Sequence, residues 1–179
     1  MKIIKRILAI LLIIVVLFLV IALFVKKEYS VEREVLINKP VPEVFNYIKY
    51  IKNQDHYSTW NMKDPNMKKD YRGTDGTVGF VSAWDSEDKE VGKGEQEIKE
   101  IKENQQMNME LRFYRPFEAT DYAYMITEPE GGSQTKVKWG FNGKMPYPMN
   151  AIMPLMNMDK MLGDELQQGL NNLKRELEK

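Results

Sequence analysis

Cysteine is absent from the 179 residues, and histidine occurs once, as His56. The first absence excludes disulfides, thiolate nucleophiles, zinc–thiolate sites and iron–sulfur clusters. The second excludes metal sites built from several histidines. Net charge is missing too: 26 Lys and Arg balance 26 Asp and Glu. The chain therefore has no cationic excess with which to neutralise nucleic-acid phosphates, and no nucleic-acid partner is expected. Glycine and aspartate patterns are equally incomplete. Gly73, Gly76 and Gly79 are not followed by Gly-Lys-Ser/Thr, and Gly92-x-Gly94 lacks a third glycine and a helix after it. Asp55, Asp64, Asp70, Asp75, Asp85 and Asp88 do not fall at calcium-loop spacing. No cofactor and no metal are expected.

What is present divides the chain in two. Ile7 to Val25 is an uninterrupted run of 19 apolar residues, flanked by Lys2, Lys5 and Arg6 on one side and by Lys26 and Lys27 on the other. At ~1.5 Å rise per residue the run spans roughly 28 Å, close to the ~30 Å hydrocarbon core of a bilayer. It has no polar face to turn to water, as a soluble core helix would. It is also longer than the ~7–15 residues of a signal-peptide apolar region, and Leu23 to Lys27 offers no small-residue cleavage site. Residues 1–27 are therefore expected to form a transmembrane anchor, with the membrane met through residues 7–25. The small basic excess on the N-terminal side places the N-terminus in the cytoplasm and the rest of the chain outside.

Residues 28–179 read as one domain. Removing the five basic residues of the first 27 leaves 21 against 26 acidic, a net charge of −5. Val31, Val35 and Ile37 alternate with Glu32 and Glu34 as in a strand, with Arg33 an exception on the apolar side. After Asn38-Lys39-Pro40 the spacing turns helical through Val44, Phe45, Ile48 and Ile51, with Pro42 and Glu43 suited to a first turn. A second short helix reaches Trp60. From Lys68 onward the text is strand and turn. Met107, Met109, Leu111 and Phe113 share one face; Tyr122, Tyr124 and Ile126 form a similar stripe; Val137, Trp139 and Phe141 form another. Glu130 to Ser133 is a hairpin turn. The last stretch is helical, with Leu155, Met158, Leu162, Leu166, Leu170, Leu173 and Leu177 at three- and four-residue steps. The expectation is an α+β domain: one strand, two short helices, a meander of about six more strands, then one long amphipathic helix covering the half-wet sheet.

Between such a helix and a curved sheet, large soft side chains leave room for a cavity. Six methionines fall between Met145 and Met161, and flexible thioethers adapt to varied apolar shapes. Gly163 and Gly169 interrupt the helix at ~1 kcal/mol each relative to alanine, which favours close approach by a neighbour or a ligand. The residues expected to line the cavity are Trp60, Trp84, Met109, Leu111, Phe113, Tyr124, Trp139, Met158, Met161, Leu162 and Glu165. Glu165 is read either as a carboxylate reaching the pocket or as a solvated residue at its edge. His56 is read either as a general base or as an exposed residue at a helix end.

The stretch Met158 to Lys174, with Val31-Glu32-Arg33 to Ile37, Pro42 to Phe45, Trp60 with Asp64-Pro65, Trp84, Gly92-x-Gly94, Arg115-Pro116-Phe117 and Val137-x-Trp139, resembles the polyketide cyclase/dehydrase-like branch of the SRPBCC (START-like, helix-grip) superfamily. The resemblance runs in order through nearly all of residues 29–178. It implies a helix-grip fold, with a curved antiparallel sheet of about seven strands wrapped on the C-terminal helix, and a deep apolar cavity gripped by that helix. It implies no particular ligand and no catalytic residues. The expected function is a membrane-anchored binding domain for a hydrophobic or amphipathic small molecule, with a lipid among the candidates. The alternatives are a cyclase-like enzyme using Glu165 or His56, and a protein-interaction domain whose cavity is filled. No acid–base pair is recognisable in the text of the chain, which favours binding over catalysis.

Overall fold

Apolar residues at positions 31, 35 and 37 fix the inner face of the first strand, and the same parity carries across the sheet it joins. The computed structural model describes residues 2–179. Its elements are α1 (Lys2–Phe24), β1 (Glu28–Ile37), α2 (Val41–Ile48), a 3-10 segment (Ile51–His56), α3 (Thr59–Lys63), β2 (Lys68–Arg72), β3 (Val81–Asp85), β4 (Lys93–Lys102), β5 (Gln106–Arg115), β6 (Ala119–Pro129), β7 (Thr135–Lys144), a second 3-10 segment (Met149–Leu155) and α4 (Met158–Leu177). The seven strands form one antiparallel sheet in the order β1-β7-β6-β5-β4-β3-β2. This is the expected helix-grip architecture. Register shifts between β4 and β5 at Lys93/Gly94 and Ile98/Glu100 mark bulges, which bend and twist the strands that carry them.

The helices start where local chemistry dictates. Pro40 and Pro42 open α2, and Glu43 sits in its first turn, paired with Lys39 at 2.7 Å. The Asn157 side chain caps α4 by accepting the Lys160 N–H at 3.0 Å. Leu155, which continues the apolar spacing of α4 in the sequence, lies instead in the 3-10 segment before it and is 87% exposed. The glycines of α4 admit protein rather than open space. A Cβ on Gly163 would meet the Arg33 guanidinium, and one on Gly169 would meet the Trp139 ring. Arg33 reaches over the helix to pair with Asp159 at 2.9 Å, which is how an arginine sits on the apolar side of β1.

One parity is opposite to expectation. On β6 the inward residues are Asp121, Ala123, Met125 and Thr127, whereas Tyr122, Tyr124 and Ile126 point outward. The pairings Met109↔Ala123, Met107↔Met125, Ala123↔Phe141 and Met125↔Trp139 set it, because β5 and β7 already fix which face is inner. The outward Tyr124 ring lies across Gly140, where a Cβ would clash with it, and its hydroxyl donates to Glu32 at 2.6 Å.

Helix α1 is the one helix among the described residues long and apolar enough to cross a membrane, a property it shares with signal sequences. It is not a detached rod. Ala22 is fully buried against the second 3-10 segment, and the Asn150 amide donates to the carbonyls of Ala22 (2.7 Å) and Val25 (2.8 Å). The Met145 N–H donates to Lys27 O at 2.8 Å, which extends the β1–β7 ladder to the end of the helix.

Candidate functional site

The inner face of the sheet is covered unequally. Toward the far ends of β1 and α4, α2 inserts Val44, Phe45 and Ile48, each fully buried, against Ile37, Ile98, Met107, Met125, Val137, Leu170 and Leu173. Toward the other end the covering element is α3, five residues long with no buried residue of its own. There a cavity of about 290 Å³ opens between α3, the first half of α4 and the sheet.

Trp139 divides the filled part from the hollow one. Its ring meets Tyr57 edge-on at 5.7 Å and Trp60 edge-on at 6.3 Å, and it packs where a side chain on Gly169 would stand. Beyond it the walls are Met109, Leu111 and Phe113 from β5, Ala123 from β6, Phe141 from β7, and Leu162 and Leu166 from α4. Trp84 closes one side, edge-on to Phe113 at 5.9 Å, with its indole N–H donating to Val91 O at 3.2 Å. All three tryptophans of the chain therefore border one space.

Polar groups in the wall are few and mostly paired. Gln96 Nε2 donates to Gln54 Oε1 at 2.8 Å, and both side chains are buried. Ser58 and Asn61 complete that side, with Asn61 donating to Asp55 at 2.7 Å. At the mouth, Lys63 bridges Glu90 (2.9 Å) on the β3–β4 loop and Glu165 (2.8 Å) on α4. Burial pushes the Glu165 carboxyl up, but the hydrogen bonds from Lys63 and Thr59, together with the Lys63 charge, outweigh this and hold it below the usual range. Arg115 stands beside Pro116 at the rim, paired with Asp85.

Of the residues expected to line the cavity, the structure brings together Trp60, Trp84, Met109, Leu111, Phe113, Trp139 and Leu162. Four stand elsewhere. Tyr124 is on the outer face of the sheet, for the parity reason above. Met161 is exposed and Met158 half-buried at the start of α4, both outside the lining. Glu165 sits beside the mouth, held by Lys63. His56 is exposed and hydrogen-bonded to the Tyr47 hydroxyl at 3.1 Å, away from the cavity.

The sequence reading missed the wall residues Gln54, Ser58, Gln96 and Phe141, and it missed Asp121, which is outside the lining but on the same face of the sheet. Gln96 was within reach, since Ile98 sets the inner parity of β4 and position 96 shares it. Phe141 belongs to the stripe of Val137 and Trp139. Asp121 is a carboxylate on the inner face, 5% exposed, accepting the Lys144 N–H at 3.0 Å. Burial raises its pKa above the ordinary carboxylate range, with the Lys144 hydrogen bond pulling the other way. Neighbouring Tyr29 is pushed up to about 12, by burial first and by the Asp121 charge second. Among the described residues no group of three His, Asp or Glu side chains is placed to hold a metal ion.

Comparison with known proteins adds to this geometry. The family model described as polyketide cyclase/dehydrase and lipid transport matches residues 28–178. No curated protein sequence matches the chain. Among solved structures, norcoclaurine synthase from Thalictrum flavum superposes with a TM-score of 0.62 at 9% identity, covering 85% of this chain and 87% of that one. A Thermobifida fusca protein gives 0.55 at 17% identity, covering 83% and 92%. Ara h 8.0201 gives 0.53 at 12% identity, covering 84% and 97%. At these identities the likeness is one of fold.

Proposed function

This chain belongs to the polyketide cyclase/dehydrase and lipid transport family, and from that premise we propose that residues 28–179 are a binding domain for a hydrophobic or amphipathic small molecule, held at a membrane by residues 1–27. The observation that carries the reading is the apolar cavity between α4 and the sheet. Its volume of about 290 Å³ lies at the small end of the ~300–1,000 Å³ typical of ligand pockets. It is about twice the ~150 Å³ hole that accepts benzene in an engineered protein core. That is room for a two-ring compound or the end of one lipid chain, rather than a whole two-chain lipid. Binding would come from desolvating the ligand against Trp, Phe, Met and Leu side chains, with the Gln54–Gln96 pair available to orient a polar group. Binding is favoured over catalysis because both carboxylates at the mouth, Glu90 and Glu165, are engaged by the same Lys63.

The three tryptophans provide the test. Full-length protein in detergent is titrated with a brominated fatty alcohol, and intact masses are recorded under native conditions. Saturable quenching of tryptophan emission is expected, together with a retained small-molecule mass. Both should be lost in Ala123→Phe, which fills the cavity floor. Empty protein with unsaturable quenching would refute the reading.

A further inference from the structure

The strand register places the mouth of the cavity and the end of α1 on the same side of the domain. Glu28 pairs with Lys144, Ala119 with Phe113, Arg115 with Lys93, and Asp85 with Lys68. These residues mark one end of the sheet. Helix α1 joins at Glu28, and the cavity opens beside Val91, Arg115 and Pro116. The hydrogen bonds from Asn150 also fix a depth. Its amide holds the carbonyls of Ala22 and Val25, so the segment Met149–Leu155 lies alongside the last turn of α1. If the apolar run through Val25 spans a bilayer, that segment sits at the boundary of headgroups and acyl chains.

The surface at this end agrees with that depth. Leu155 is 87% exposed and Phe117 78%, and Tyr147, Met149 and Met161 are exposed as well. The turns at the opposite end are mostly polar: Asn38-Lys39, Lys102 to Gln105, and Glu130 to Gln134, with Val78, Tyr50 and Leu36 the exposed apolar or aromatic exceptions near them. Exposed apolar and aromatic side chains at the level of a helix end are those that settle into a membrane interface.

We propose that the Asn150 joint holds the mouth of the cavity against the bilayer, so that an amphiphile passes from the adjoining leaflet into the cavity without crossing water. This rests on the reading of α1 as a membrane span and of the cavity as a ligand site. The joint is what makes the orientation definite, because a helix tied to the domain by hydrogen bonds and by the buried Ala22 cannot swivel as a loose tether would.

The absence of cysteine makes the experiment direct. Phe117→Cys, Leu155→Cys and Glu130→Cys, all at exposed positions, are each labelled with an environment-sensitive nitrobenzoxadiazole dye in the full-length chain. The labelled proteins are reconstituted into palmitoyl-oleoyl phosphatidylcholine vesicles. Labels at 117 and 155 should show blue-shifted emission, quenching by doxyl-labelled lipid and loss of iodide quenching; the label at 130 should behave as in water. Adding Asn150→Ala should return the label at 117 toward the behaviour of 130. A water-like label at 117 overturns the proposal, even where tryptophan quenching shows the cavity to be filled. So does a label shielded from both iodide and lipid quencher, which would mean that protein covers this end. An intact mass showing that α1 is removed also overturns it. Lipid-embedded labels with no tryptophan quenching would instead sink the cavity reading, and with it the transfer of a ligand.

Discussion

The domain is filled at the end away from α1 and hollow at the end beside it, although one sheet and one helix run through both. Around Phe45, Ile48, Met107, Met125, Leu170 and Leu173, inner side chains have essentially no accessible surface. Around Leu111, Phe113 and Leu162, residues of the same kind on the same elements keep part of theirs. The difference lies in what covers them. Helix α2 is eight residues long and buries three apolar side chains; α3 has five residues and buries none. A cavity here needs no special residues in its walls. It follows from a cover one turn too short.

The largest effect should separate the two halves by truncation. Phe45→Ala removes a ring from a fully packed site and is expected to cost about 3–5 kcal/mol. Phe113→Ala enlarges a space that already exists and should cost clearly less, because much of its ring has few packing partners to lose. Urea unfolding followed by tryptophan emission would measure both, and equal losses would erase the distinction. Enlargement should separate them in the opposite sense. Val137→Phe overpacks the filled half at about 1–3 kcal/mol. Ala123→Phe should be close to neutral in stability while weakening binding of an apolar ligand roughly tenfold or more, equivalent to ~1.4 kcal/mol. If Ala123→Phe destabilises as much as Val137→Phe, the space is not available to a guest.

The joint between helix and domain tests the hollow end from outside. Asn150→Ala leaves the carbonyls of Ala22 and Val25 without their donor. Because Ala22 is buried, a loss of about 1–3 kcal/mol is expected, seen as faster hydrogen exchange and proteolysis near residues 145–157. An unchanged exchange pattern would mean that the contact contributes nothing.

How much of this was legible in the sequence depends on which element is considered. Strands β5 and β7 announce their inner faces by unbroken alternation, β1 by an alternation that Arg33 interrupts, and α4 by its leucines, so the fold and the five expected lining residues on β5, β7 and α4 could be read from the chain. On β6, Tyr122, Tyr124 and Ile126 are larger and more apolar than Ala123 and Asp121, and hydrophobicity alone assigns the wrong face. Only pairing with β5 and β7 decides it, and pairing is not local. Met158 and Met161 show the same limit. Helical spacing gives a stripe, but where the helix begins relative to the sheet decides which members of the stripe reach the cavity. The 3-10 segment that places Gln54 has no periodicity to read, and the Asn150 joint depends on residues 125 and 128 positions apart.

Asp121, which shares the inner face of β6 with Ala123 and Met125, gives the smallest and most specific test of that end of the sheet. Its carboxyl lies on the inner face with one backbone N–H to offset its burial, and its folded pKa is raised above the ordinary ~3.9 of an aspartate. In the window between the unfolded and the folded values, the folded state keeps a proton that the unfolded state has lost. Stability therefore falls as pH rises through that window and levels off above it. Asp121→Asn retains an oxygen to accept the Lys144 N–H and has no charge to bury. The variant should match the wild type at low pH and exceed it modestly at neutral pH, with the gap opening across the window. Urea midpoints measured in parallel from acid to neutral pH would show this. A gap independent of pH would mean that the carboxylate is solvated where it stands, and that the inner face at the start of β6 is wet rather than buried.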